Sequence, residues 1–249
     1  MRLSHHFIKA IFIISMIPVV VVAQEFNTIN ANNIKTTMHS SGPMFWDLDR
    51  TSTFRVPYDG PETPAAIFSG GLWLSGLTAD GGLQLIAQEY RSVFNIGPVN
   101  AEFIDFDFDK VWKVTAADIN ALRADFQDNG TVDDLPVESL REWPAIGNNI
   151  EPSQLYSGQI LAPFHDVNQD NIYNPFEGDY PVVMVNGCEI IPDELLYTLY
   201  HANGVDQPVV EIHSIFYAFE SQENEVINNS LFLQQKICLL YTSPSPRDS

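Results

Sequence analysis

VVEIHSIFYAF, residues 209–219, is the stretch on which the fold turns. It opens with alternation: Val210, Ile212 and Phe216 fall on one side of an extended chain, Glu211 and His213 on the other. Its β-branched and aromatic residues suit a pleated strand. Residues 221–229 read as a polar connection, and residues 230–237 as the start of a partner strand, which is expected to leave a sheet edge open. The last third of the chain is therefore read as β.

Further toward the N-terminus, AAIFSGGLWL (residues 65–74) is a continuous apolar run and LQLIAQEY (residues 83–90) resumes after the turn signal Asp80-Gly81-Gly82. The pair predicts a β-hairpin whose first strand is buried on both faces. Gly70 and Gly71 in mid-run predict a bulge or a close backbone approach. Phe45-Trp46 and residues 53–56 read as short strands, and Trp46 and Trp73 as core residues rather than carbohydrate platforms. Between these β regions the period changes. Thr115-Ala116-Ala117-Asp118 has the form of a capping box with Asp in place of Glu. Ile119, Leu122 and Phe126 follow at helical spacing, Asp128-Asn129-Gly130 ends that helix, and a second short helix is expected over residues 136–143. The expected fold is mainly β, a β-sandwich-like domain with a short helical insertion over residues 115–143.

One constellation carries definite chemistry. Residues 166–177, DVNQDNIYNPFE, place side-chain oxygens at positions 1, 3, 5, 9 and 12 of a twelve-residue loop. That spacing suits calcium, which takes six to eight hard oxygen ligands. Asp166, Asn168, Asp170 and Asn174 would supply side-chain oxygens, Ile172 its carbonyl, and Glu177 one or two carboxylate oxygens. Asn171 stands where glycine is usual and tolerates the left-handed backbone needed there. Pro163 and Pro175 do not suit flanking helices, so the loop is expected on a β scaffold, not in an EF-hand. The bland alternative is an ion-free turn rich in Asp and Asn. Asp179 reads as a spare carboxylate.

Other chemistry is thin. Asp105, Asp107 and Asp109 alternate with Phe106 and Phe108, as on a solvated strand face, with a second cation site as the sharper reading. No HExxH helix, GxSxG elbow, CxxC pair or phosphate loop occurs. His201 and His213 read as satisfied histidines; the alternative is a metal pair across strands. Carboxylates are abundant enough for a glycosidase pair, but in so acidic a chain their abundance says little.

The 249 residues carry a formal net charge of −20, which argues against nucleic acid and anionic membranes as partners. Residues 1–23 have the form of a secretory signal peptide: Arg2 and Lys9, an apolar stretch over residues 11–22, then Ala23. The stretch is short for a span, so no membrane span is expected after cleavage. Residues 238–249 resemble a translated sequencing adapter, leaving residues 24–237 as a single mainly-β domain cut at its C-terminal end. With Cys238 set aside, Cys188 stands alone, no disulfide framework is expected, and Cys188 reads as a small buried hydrophobe.

Several motifs together resemble a family of exported proteins from Bacteroidetes whose genes commonly encode a C-terminal type IX secretion sorting domain. The matching stretches include Ala66-Ile67-Phe68-Ser69-Gly70-Gly71-Leu72-Trp73, Ala87-Gln88-Glu89-Tyr90-Arg91 and Trp143-Pro144-Ala145. Leu161-Ala162-Pro163-Phe164-His165-Asp166-Val167-Asn168-Gln169-Asp170, Gly178-Asp179-Tyr180-Pro181, Glu211-Ile212-His213 and Tyr217-Ala218-Phe219 follow in order. The resemblance implies export through the type IX secretion machinery, then release or attachment at the outer-membrane surface. It implies no activity. The expected function is a secreted or cell-surface module with a structural calcium loop, acting in adhesion or in binding extracellular polysaccharide or protein. The alternative is the accessory region of a secreted hydrolase whose catalytic part lies elsewhere.

Overall fold

The computed structural model describes residues 25–47, 51–78, 80–89, 94–156, 159–205 and 207–240. The expected leader, residues 1–23, lies outside them, as do Tyr90, Arg91 and residues 241–249. The first elements are β1 (Phe26–Ile29) and β2 (Thr36–His39), then β3 (Trp73–Leu77) and β4 (Leu83–Ala87). Next come β5 (Asn95–Ile96), β6 (Trp112–Thr115), α1 (Ala116–Asn129) and α2 (Glu138–Arg141). Four short strands follow: β7 (Phe164–His165), β8 (Tyr180–Pro181), β9 (Val183–Val185) and β10 (Cys188–Ile190). The long strands β11 (Glu194–Ala202) and β12 (Val210–Ala218), then α3 (Glu225–Asn228) and β13 (Phe232–Leu239), complete the order.

The decisive stretch forms β12, the middle of an antiparallel sheet ordered β13-β12-β11-β5, with β6 sharing the β5 edge of β11. As the alternation predicts, Val210, Ile212 and Phe216 lie on one face of β12, and Glu211 and His213 on the other. Both faces are covered. Leu196, Phe216 and Ala218 pack with Ile29, Met38 and Met44 beneath the β1–β2 hairpin, and Tyr200, Val210 and Ile212 pack with Ile86 of the β3–β4 hairpin. On the opposite face, Leu195, Tyr197, Leu199, Ile215 and Tyr217 share a core with Ile119 and Leu122 of α1, Leu140 of α2, Trp143 and Tyr173. The architecture is mainly β and sandwich-like: hairpins on one side of the sheet, the helical insertion and its loops on the other.

The helical insertion follows its local signals. The Thr115 hydroxyl accepts the Asp118 N–H, and the Asp118 carboxylate accepts the Thr115 N–H, closing the capping box. Gly130 ends α1 in the left-handed conformation with φ 84°, its N–H donating to the Phe126 carbonyl. The second helix is shorter than expected and covers only Glu138–Arg141.

Several expectations are corrected. The run over residues 65–74 is not a strand buried on both faces. Before Trp73 it makes only single bridges, Phe54 to Ile67 and Met44 to Gly70. β3 itself lies in an outer layer with one face open, so Trp73 is 69% exposed and Leu77 72%. Residues 45–46 and 53–56 likewise make isolated bridges rather than strands. Gly70 and Gly71 do mark a close approach: a Cβ would stand 3.0 Å from the Phe45 ring and 3.0 Å from the Gln88 carbonyl, respectively. No strand forms over residues 105–109, although Phe108 is buried while Asp105 and Asp107 stay exposed. Cys188 is exposed, because it opens β10 just after the tight turn of Asn186 (φ 51°) and Gly187 (φ 81°). β13 stands at the sheet edge as expected and pairs along β12 through Cys238 and Leu239.

Candidate functional site

The loop of residues 166–179 is held between β7 and β8, which pair Phe164 with Pro181 and His165 with Tyr180. Strands flank it, not helices, as Pro163 and Pro175 require. Its N-terminal half is wound around Asp166. Asp166 Oδ1 accepts from the Gln169 N–H at 2.6 Å and the Asp170 N–H at 3.3 Å, and Oδ2 accepts from the Asn171 N–H at 2.7 Å. Gln169 and Asn171 both sit in the left-handed region at φ 63°. Asn171 thus adopts the conformation expected at the sixth position.

Three of the expected ligands converge. Asn168 Nδ2 donates to Asp170 Oδ2 at 3.1 Å and to Glu177 Oε2 at 2.7 Å, so an amide nitrogen sits between two carboxylates. Asp170 Oδ1 accepts from the Ile172 N–H at 2.8 Å. Asn174 points elsewhere, and its side-chain oxygen caps the 3-10 turn Pro175–Glu177 by accepting the Phe176 N–H. Among the described residues, no ion pair joins a basic side chain to Asp166, Asp170 or Glu177. Nor, among them, do three or more His, Cys, Asp or Glu side chains gather as one metal-holding group.

Asp179 is not spare. It is fully buried and bridges the shoulders of the loop, accepting the Val167 N–H on one oxygen and the Asn174 N–H on the other, each at 2.9 Å. Burial raises its pKa, the two N–H donors oppose that, and Asp166 and Asp170 add to the rise. The loop is also pinned to the helical insertion. Tyr173 is buried, its N–H donating to the Ile146 carbonyl at 2.7 Å and its hydroxyl to the Leu140 carbonyl at 2.6 Å. Gly147 (φ 102°) and Gly178 (φ 94°) lie against Ile172 and the Phe126 ring so closely that no side chain fits at either. The sequence singled out the candidate ligands; it held no sign of these anchors, which depend on contacts with α1 and α2.

A second polar group lies inside the fold. Glu211, fully buried, accepts from the Val99 N–H at 3.1 Å, Gln159 Nε2 at 2.5 Å and His213 Nε2 at 3.0 Å. His213 Nδ1 meets the Tyr197 hydroxyl at 2.7 Å, and His201 Nδ1 meets the Gly97 carbonyl at 2.9 Å. His201 and His213 share one face of the sheet and each has its own partner. A carboxylate with three donors is satisfied, so the group specifies packing and offers no free nucleophile.

The tryptophans divide. Trp46, Trp112 and Trp143 are buried, whereas Trp73 stands open at the rim of a cleft of about 310 Å³ with Trp46, Gly70, Gly71, Gln88 and Glu89 among its lining. Glu89 is the one carboxylate among the described lining residues. Among the described residues, no helix is long and apolar enough to cross a membrane. Compared with known proteins, the chain matches no family model, no curated protein and no solved structure.

Proposed function

We propose that this chain is an exported β-rich binding module whose loop over residues 166–177 is clamped by a calcium ion, and that it acts at the cell surface or after release, in adhesion or in binding extracellular polymer. The observation that carries the calcium reading is the convergence of Asp170 and Glu177 oxygens on the Asn168 amide, beside an Asn171 in the left-handed conformation. Two carboxylates facing one point repel each other unless a positive group lies between them. Asp166, Asn168, Asp170, Glu177 and the Ile172 carbonyl would hold the ion. Asn174, engaged as a cap, would act through a bridging water, as the ninth position of such loops often does. The bound ion supplies charge neutralisation and order; no reaction is assigned to it.

Export is supported by the signal-like leader and by the resemblance to type IX secreted proteins. The net charge of −20 supports a partner that is not nucleic acid. The accessory-hydrolase reading needs two carboxylates about 5–9 Å apart beside an aromatic platform; the Trp73 cleft supplies only Glu89 among its described lining, and the clefts lined by Asp105, Asp107 and Glu142 and by Asp118, Asp125 and Asp134 have no tryptophan or tyrosine in their described lining.

Thermal unfolding in calcium and in chelator tests the proposal. Calcium at ten times its dissociation constant should stabilise the fold by about 1.4 kcal/mol. Asp166→Ala should abolish the rise and lower the melting temperature in chelator, since it releases three backbone N–H groups. Glu177→Gln should abolish the rise and leave the chelated melting temperature nearly unchanged. Identical melting curves in calcium and chelator would refute the clamp.

A further inference from the structure

We infer that the groove between α1 and residues 132–137 is a docking site for a cationic segment of another protein, one that carries aliphatic side chains among its lysines or arginines. This goes beyond the reading above, because it places a partner on the helical insertion and makes no use of the calcium loop. A surface helix turns charged and polar side chains outward, but α1 leaves Ala117 and Ala121 exposed one turn apart, and their short side chains leave the groove beside them unfilled. Leu122 of α1 and Leu140 of α2 are buried and contribute apolar lining. On the other wall Leu135 is 72% exposed and Val137 45%. The groove has a volume of about 220 Å³. A cavity of about 150 Å³ already takes a benzene ring.

The two walls are tied together. Asp125 on α1 accepts the Asp134 N–H at 3.0 Å, and Arg141 Nε donates to the Pro136 carbonyl at 2.9 Å. Fixed walls leave little to order when an apolar side chain enters. The lining is acidic as well as apolar. Asp118, Asp125 and Asp134 line the groove, and among the described residues no basic side chain forms an ion pair with any of them. Asp118 is engaged in the capping box, so Asp125 and Asp134 carry the selection. Residues 118–138 hold six carboxylates and one basic side chain, Arg123, whose guanidinium lies over the Tyr180 ring. That charge decides the occupant. The apolar lining alone would suit any aliphatic segment, whereas the carboxylates draw in a cationic one and turn away an anionic one. A second copy would bring its own net charge of −20 against the same carboxylates. Nucleic acid and anionic lipid are repelled in the same way.

The test titrates the full chain, in chelator so that calcium plays no part, into a fluorescein-labelled amphipathic peptide of lysines and leucines and reads anisotropy. The peptide should bind at chain concentrations below about 1 mM, where even weak sites fill, and binding should weaken as salt rises. Serine in place of the leucines, or glutamate in place of the lysines, should each weaken it about tenfold. Leu135→Ser and Asp125→Asn/Asp134→Asn should each weaken it about fivefold. Both variants should fold, because Leu135 is exposed and asparagine at position 125 keeps an acceptor for the Asp134 N–H. Asp59→Asn/Glu62→Gln, which removes two exposed carboxylates from the segment joined to the β1–β2 turn through Tyr58 and Asn33, should leave binding within about twofold. Unlabelled peptide should shift the NMR signals of Ala117, Ala121 and Val137. Absence of binding, equal binding of the serine peptide, an equal loss in Asp59→Asn/Glu62→Gln, or shifts centred on residues 166–177 would each overturn the docking site. Self-association in sedimentation that Leu135→Ser abolishes overturns it in favour of a second copy. Binding to phosphatidylserine vesicles that the same substitution abolishes overturns it in favour of a membrane.

Discussion

β12 carries a glutamate, a histidine and a serine and is buried at all nine residues, whereas β3 and β4 carry Trp73, Leu77, Leu83 and Leu85 and leave them largely exposed. The more polar segment is the drier one. β12 has β11 on one edge, β13 on the other, hairpins over one face and the helical insertion over the other. The β3–β4 hairpin has a neighbour on one face only: Leu74 and Ile86 turn toward the sheet, and Trp73, Leu77, Leu83 and Leu85 turn away. Burial is a property of position in the layers, and composition follows it only where every covering element is present. Polar groups enter the central position when they satisfy one another, as Glu211, His213, Tyr197 and Gln159 do.

The largest effect separating the two regions should come from large-to-small substitution. Phe216→Ala, in the middle of the buried pair, should cost about 3–5 kcal/mol in urea unfolding. Glu211→Ala should follow at about 3 kcal/mol, because it strands three buried donors, and Glu211→Gln should cost less by keeping an acceptor. A loss below about 1 kcal/mol for Glu211→Ala, no more than one ordinary hydrogen bond, would mean that the network does not hold the centre together.

Acid should act next, through two buried histidines. Burial holds His39 on β2 and His201 on β11 below the ordinary value of 6.5, against the opposing pull of the Trp46 and Gly97 carbonyls and of Asp47 and Glu211. Each ring therefore holds a proton less readily when folded, and the unfolded chain takes up more protons below pH 6.5. Their contribution is complete above pH 6.5 and is lost as pH falls through their depressed folded values. The melting temperature should fall over that window, and the slope should flatten in His39→Gln/His201→Gln. An unchanged slope in the double variant would assign the acid sensitivity to other groups.

The smallest effect is expected on the hairpin. Leu77→Ser should change stability by no more than about 0.5 kcal/mol. A loss above about 1 kcal/mol, beyond the range of ordinary surface substitutions, would show that this face is covered in solution and would erase the contrast with β12.

What could be read along the chain was local. Thr115 and Asp118 are three residues apart and reach each other within one helical turn, so the capping box was visible before any fold was known. Gly130 as a stop, the alternation of β12, and Asn171 as the left-handed residue of the loop belong to the same class. The strand expected over residues 65–74 failed because a continuous apolar run records hydrophobicity without recording what will lie against it. Cys188 and Trp73 failed for the same reason. The sandwich-like class was legible because strand period and turn residues are short-range properties. The spacing of oxygen-bearing side chains over residues 166–177 is legible in the sequence, but the anchors of that loop are not: Asp179 closes the loop across two shoulders, and Tyr173 reaches Leu140, far back along the chain.

The sequence by itself therefore determined the mainly-β class, the helical insertion, the two faces of β12 and the acidic loop, because each rests on residues a few positions apart. The tertiary structure alone decided that Glu211 lies in the core and Trp73 in the open, since burial is fixed by which distant segments come to cover a residue. Those segments are brought together by the whole chain's packing, and no local pattern encodes them.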